Sequence, residues 1–113
     1  MHELSIAMSV VEIAEEYAAK EQARVVLEME IEVGELSGVV IPALEFAMEE
    51  AVAGTLCEDA KWKITLIPGE VQCRACGHTF RSSSLFEECP RCKQVGANLL
   101  RGDEMRLRSL IVE

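Results

Sequence analysis

Two Cys-x-x-Cys pairs, Cys73/Cys76 and Cys89/Cys92, bracket one short segment in the second half of this 113-residue chain. The two residues inside each pair form a turn that aims both sulfurs at one point. Two such turns supply the four-sulfur tetrahedral shell that Zn(II) accepts in closed structural sites. Gly77 directly follows Cys76 and can take the positive φ such a turn often needs, while Pro90 stiffens the second turn. The spacing therefore predicts a zinc site with Cys73, Cys76, Cys89 and Cys92 as its ligands. A disulfide framework would need an oxidising compartment, and Met1-His2-Glu3 runs into an amphipathic pattern without the basic region or cleavage site of a secretion signal. Cys57 stands outside the pairs and reads as a small apolar side chain.

Half of the residues are apolar, enough for one small core, but the aromatic content is only one Trp, one Tyr and three Phe. No apolar run reaches the roughly 18 residues of a membrane span, so the chain is expected to be soluble, cytoplasmic and free of membrane contact. The net charge is −9, and the acids crowd the segment before Pro68. An acidic body repels polyanions, because nucleic-acid binding rests on Lys and Arg neutralising phosphates. It suits metal cations or a basic protein partner.

Periodicity predicts an α+β chain. Glu3 to about Lys20 is expected to be helical, with Leu4, Met8, Val11, Ala14 and Ala18 on one apolar stripe and Ile6, Val10, Ile13 and Tyr17 on an adjoining one. Arg24 to Val33 alternates Val25, Leu27, Met29, Ile31 and Val33 against Glu28, Glu30 and Glu32, the pattern of a strand with one buried face. Those carboxylates read as a solvated face rather than a metal or acid/base cluster. After a loop at Gly34 to Gly38, Pro42 fits the first turn of a second helix that buries Leu44, Met48 and Ala51 and ends at Gly54. Lys61 to Ile67 and Glu104 to Glu113 alternate as strands. The expected architecture is a small three-stranded sheet covered by two helices, with a zinc-ribbon-like domain inserted before the last strand. The division is a domain over 1–68, completed by 104–113, and a zinc domain over 69–103. The insert's own core is thin, with Phe80, Leu85, Phe86 and Val95 as candidates, so metal binding is expected to supply most of its folding free energy.

The other end carries a second constellation. His2 is bulky enough to hinder removal of Met1. The amine of Met1, the backbone amide of residue 2 and the imidazole of His2 can then close two fused chelate rings round one metal. Glu3 is near enough to offer a carboxylate or to hold the geometry. Planar nitrogen-rich coordination suits Ni(II) or Cu(II) rather than Zn(II). Imidazole ligates only when neutral, so such a site weakens as acid protonates it.

Met1-His2-Glu3-Leu4-Ser5-Ile6, the Gly34-Glu35-Leu36-Ser37 loop followed by Pro42-Ala43-Leu44-Glu45-Phe46-Ala47, Pro68-Gly69 before Cys73-x-x-Cys76-Gly77, and Cys89-Pro90-x-Cys92 together resemble the HypA family of nickel-insertion proteins. The resemblance spans essentially the whole chain. It implies a metallochaperone, not an enzyme, for [NiFe]-hydrogenase maturation. Met1, His2 and Glu3 would hold nickel as cargo, and the four paired cysteines would hold structural zinc. Its implied partners are a HypB-type GTPase and the hydrogenase large-subunit precursor, with urease a further client of some members; a homodimer is compatible with it. Ala43, where an acid often follows the proline, departs from the family's wording without touching a metal position.

Two other classes compete. A zinc-ribbon adaptor binding nucleic acid or a protein assembly needs a basic, aromatic-interleaved surface that the chain lacks. A thiol oxidoreductase needs one exposed reactive pair, and a hydrolytic zinc site needs an open position that four cysteines do not leave. His78 reads as solvent-facing.

Overall fold

In the computed structural model, which describes residues 2–113, eight elements run in the order α1 (His2–Lys20), β1 (Val26–Gly34), α2 (Ile41–Ala51), β2 (Lys61–Ile67), β3 (Glu70–Cys73), β4 (Thr79–Arg81), β5 (Ala97–Arg101) and β6 (Met105–Val112). The architecture is α+β, with one three-stranded sheet ordered β2-β1-β6 and a second ordered β4-β3-β5. The chain forms two compact units. One comprises residues 1–32, 39–65 and 106–113, and the other residues 33–38 and 66–105.

In the first unit, α1 buries Ala7, Val10, Val11, Ala14 and Ala18. This face is narrower than the sequence suggests: Met8, Ile13 and Tyr17 remain about half exposed. Three alanines on the buried stripe let the helix approach its neighbours closely, which leaves the longer flanking side chains outside. The helix ends at Lys20, and Gln22 in the turn that follows takes a φ of 55°. The Ala23 and Gln22 N–H groups then donate to the Ala18 and Ala19 carbonyls at 2.8 and 3.1 Å, which satisfies acceptors the helix end would otherwise orphan. The second helix has Pro42 in its first turn and buries Leu44, Ala47 and Met48, so methionine here is core filling.

The Val25–Glu113 and Gly34–Glu104 backbone hydrogen bonds set β1 and β6 antiparallel. Met29, Ile31 and Val33 are buried, as the alternation requires. The first residues of β1 depart from it: Val26 is fully buried and Leu27 is 38% exposed. The Val26 N–H donates to the Leu56 carbonyl, so the turn after α2 covers this end. Glu28, Glu30 and Glu32 occupy alternate positions of β1, and the latter two are paired. Glu30 meets Lys63 at 3.6 Å and Arg108 at 3.9 Å, and Glu32 meets Arg106 at 2.6 Å and Arg108 at 3.5 Å. These carboxylates are neutralised by cross-strand cations and do not converge on a ligand.

The second unit holds the sheet that sequence periodicity did not resolve. Its strands are only three to five residues long, too short for a period of two to declare itself. Both pairings of β3 are antiparallel, Val71 facing Phe80 on one side and Leu99 on the other. Besides Val33, its buried side chains are Val71, Cys73, Ser82, Cys89 and Ala97, whereas Leu85, Phe86 and Val95 are 38%, 84% and 61% exposed. Of the four residues expected to form the core, only Phe80 is partly buried. Apolar burial here is small, and two of the buried side chains are the cysteines Cys73 and Cys89.

Residues 33–38 also belong to this unit and close its base. A Cβ placed on Gly34 would lie 2.0 Å from the Gly102 carbonyl oxygen, and one on Gly102 would lie 2.5 Å from the Gly69 Cα. Only glycine lets three backbone segments meet at that distance. The Glu35 carboxylate accepts the Gly69 N–H at 2.9 Å and lies 3.6 Å from Arg81, while the Leu36 N–H donates to the Gly102 carbonyl. Each residue of the Gly34-Glu35-Leu36 stretch thus has a physical task in joining the two ends of the insert.

Candidate metal centre

The two cysteine turns are built alike. In the first, the Cys73 N–H donates to the His78 carbonyl at 2.8 Å and the Gly77 N–H to the Cys73 carbonyl at 2.9 Å. In the second, the Cys89 N–H donates to Gln94 and the Lys93 N–H to Cys89, both at 2.9 Å. The fourth residue after the leading cysteine has positive φ in both turns: 77° at Gly77 and 67° at Lys93. Glycine announces that conformation in the sequence, and lysine does not.

These turns bring all four sulfurs within 4.8 Å of one another, with Cys73 Sγ to Cys92 Sγ 3.6 Å and Cys76 Sγ to Cys89 Sγ 3.7 Å. Tetrahedral Zn(II) with metal–sulfur bonds of about 2.3 Å requires sulfur–sulfur separations of about 3.8 Å, so the cage is the size zinc needs. All five cysteines are free thiols. Among the described residues this tetrad is the only His, Cys, Asp or Glu group with metal-binding geometry.

The electrostatics point the same way. The Cys76 N–H, with a further contribution from Ala75, holds the Cys73 thiol down to about 7. Burial opposes ionisation of Cys89, yet the N–H groups of Cys92 and Arg91 lower it. The Gln94 N–H also favours the Cys92 thiolate, but burial and the surrounding cysteine sulfurs outweigh it and push this thiol up to about 12. Peptide N–H groups thus favour a thiolate at Cys73 and at Cys89, while burial and the neighbouring sulfurs oppose one at Cys92. A divalent cation at the centre removes that conflict. His78 stacks against Phe80, ring centroids 5.9 Å apart, and supplies a backbone carbonyl to the turn. Cys57 is fully buried, and burial raises its thiol.

The N-terminal constellation is open by comparison. The described helix starts at His2, whose side chain is 65% exposed, while that of Glu3 is 13% exposed. Glu3 Oε2 lies 3.8 Å from His2 Nδ1 and accepts the Val40 N–H at 3.3 Å. That N–H, followed by the residue's own, holds the Glu3 carboxyl below its ordinary range. Met1, expected to contribute its amine, lies outside the described residues. The N–H groups of a helix's first turn have no intrahelical partner, so the backbone amides near His2 are spared from helix bonding.

A family profile described as hydrogenase/urease nickel incorporation, metallochaperone, hypA matches residues 1–112. The chain belongs to the HypA family. The hydrogenase maturation factor HypA of Parabacteroides distasonis is 44% identical over 113 residues, covering all of this chain and 98% of its own length. That of Geobacter sulfurreducens is 42% identical over the full length of both chains. The solution structure of the nickel metallochaperone HypA from Helicobacter pylori superposes with a TM-score of 0.67 at 30% identity, covering 97% of this chain and 96% of that one. The family is one of nickel metallochaperones and hydrogenase maturation factors rather than of catalytic enzymes by name. No helix among the described residues is long and apolar enough to cross a membrane.

Proposed function

We propose that this chain carries Ni(II) at its N-terminus and delivers it during [NiFe]-hydrogenase maturation, while Cys73, Cys76, Cys89 and Cys92 hold a permanent structural Zn(II). The observation that carries the reading is the contrast between a closed four-sulfur cage and an exposed imidazole at a helix start, within a member of a nickel-incorporation family. The zinc shell has no replaceable position, so it serves as scaffold. His2, through its imidazole and amide, and the Met1 amine form the cargo site, with Glu3 beside them; a terminal site with an open fourth position permits ligand-by-ligand transfer. On this reading the segment 1–68 with 104–113 is the nickel-binding domain and 69–103 the zinc domain. The partners are a HypB-type GTPase, which supplies nucleotide hydrolysis, and the hydrogenase large-subunit precursor, with urease as a second client.

Calorimetric Ni(II) titration of protein with its native, untagged N-terminus tests this, beside His2→Ala and a form extended before Met1, with zinc content measured in each. One nickel per chain in the native protein, lost from both variants without loss of zinc, is the expected result. Equal binding in all three places nickel elsewhere and removes the proposal.

A further inference from the structure

β6 is an outer strand of the β2-β1-β6 sheet, so among the described residues one row of its N–H and C=O groups has no strand to bond. Edge strands usually carry a device against stray pairing. β2, the opposite edge, has Lys61 and Lys63, and lysine is a usual device. β6 reads Met-Arg-Leu-Arg-Ser-Leu-Ile-Val, without lysine, proline or glycine. Its arginines turn toward β1, Arg106 to Glu32 and Arg108 to Glu30 and Glu32. Beside this edge lies a groove of about 340 Å³, lined by Ile13 and Tyr17 of α1 and by Leu107, Arg108, Ser109 and Leu110 of β6. Strand alternation puts Leu107, Ser109 and Ile111 on the helix side, away from the arginines. Ser109 is small, and Ile13, Tyr17 and Ile111 are about half exposed, so the groove offers apolar walls to alternate side chains of an added strand. The other face of the sheet offers charge. Lys61, Lys63, Arg106 and Arg108 stand there with Glu28, Glu30 and Glu32, four cations to three acids on a chain whose net charge is −9.

We propose that β6 receives, as a fourth strand of this sheet, an extended segment of a partner protein that alternates apolar and acidic residues. Main-chain hydrogen bonds to β6 supply affinity, and the two faces of the added strand supply selection. Its apolar residues face Ile13 and Tyr17. Its acids lie opposite Arg106 and Arg108, whose side chains stay 62% and 58% exposed despite their own pairs, and opposite charges on neighbouring strands attract. The fold already contains such a pairing: β1, on the other side of β6, runs Leu27-Glu28-Met29-Glu30-Ile31-Glu32-Val33. A second copy of the chain is a poorer occupant. Its β6 would bring further arginines to a face where cations are in excess, and two bodies of net charge −9 repel.

The test uses the full-length, zinc-loaded chain, nitrogen-15 labelled, and capped peptides of eight residues, the length of β6. One alternates valine and glutamate, one alternates valine and lysine, and a third is the glutamate peptide with its amides N-methylated. Amide shifts are followed during titration at about 0.15 M salt. The glutamate peptide is expected to give saturable shifts over residues 106–112. The lysine peptide should bind about 10-fold more weakly, and so should the methylated one, which cannot donate main-chain hydrogen bonds. Tyr17→Ser, at a half-exposed position outside the buried stripe of α1, should weaken the glutamate peptide about 5-fold. A lysine or methylated peptide that binds as well as the glutamate peptide overturns the proposal, as does the absence of shifts over β6 at millimolar peptide. Unchanged binding by Tyr17→Ser removes the groove from the contact and overturns it too. Shifts over residues 106–112 that appear when the chain alone is concentrated assign the edge to a second copy, and the proposal falls.

Discussion

The cysteine cage and the N-terminal turn are both candidate metal sites, yet they are built on opposite principles. In the cage, two matching turns place four sulfurs at zinc-sized separations, with the leading cysteine of each turn buried and its N–H and C=O both engaged. At the N-terminus the imidazole is mostly exposed and rests beside a single carboxylate held by a single N–H. A cage of that kind retains its ion because releasing it means giving up four thiolates and the fold they hold together, and a terminal site can release its ion because few of its ligands are tied to the fold. The difference suggests a division of labour between holding the fold and handling the cargo.

The largest test is metal removal. The second unit buries few apolar side chains and leaves Phe86 84% exposed, so stripping zinc should cost it about 10 kcal/mol or more, by analogy with zinc-finger peptides. Chelation, or Cys89→Ser, is expected to collapse amide dispersion over residues 69–103 while the resonances of α1 and α2 persist. An insert that stayed ordered without zinc would break the contrast, since the cage would then be a consequence of the fold rather than its support.

Next comes His2→Ala. On the proposed reading it deletes the imidazole that would close a chelate ring, and should weaken Ni(II) binding by more than the 10- to 100-fold typical of losing an outer contact. About 1,000-fold, or roughly 4 kcal/mol, is expected. Zinc content should not change. A variant that lost both metals would show the two sites to be one cooperative system.

How much of this was legible in the sequence differs between the same two regions. The cysteine cluster could be read outright: the four residues, their spacing and the turn glycine at residue 77 all follow from local geometry. The long periodic elements α1, β1 and α2 were legible for the same reason. The three short strands were not, because a period of two needs more residues than they contain. The insert's core was misread because Leu85, Phe86 and Val95 look like core residues in a sequence, whereas the side chains buried there include Val71, Ala97 and two of the cysteines, Cys73 and Cys89. The N-terminal site was visible only as a set of atoms that any Met-His start possesses; resemblance to a family gave it meaning. The Glu3 to Val40 contact joins residues far apart in the chain, and no local pattern announces it. Gly34 likewise looks like an ordinary loop residue, yet its missing side chain is what admits the Gly102 carbonyl.

That glycine supplies the third test. Gly34→Ala forces a methyl group onto a backbone atom, which cannot rotate away. Destabilisation of about 3 kcal/mol is expected, the upper range for overpacking, read as a lowered unfolding midpoint with zinc bound. An unchanged midpoint would mean that the base of the insert yields readily.

The smallest test compares the two turns of the cage. Gly77 and Lys93 hold the same left-handed conformation, but one residue adopts it freely and the other against its Cβ. Nothing lies within 4 Å of the Cβ position at Gly77, so Gly77→Ala costs backbone strain alone, about 1 kcal/mol. Lys93→Gly should move the other way by somewhat less, because glycine relieves the strain but adds freedom to the unfolded chain. Zinc competition with a chromophoric chelator reads both, since folding of the insert and zinc binding are linked. The opposite signs matter more than the sizes. If Lys93→Gly weakened zinc retention, the lysine would be contributing something beyond its backbone, such as its charge beside four thiolates. The two turns would then differ in chemistry as well as in strain.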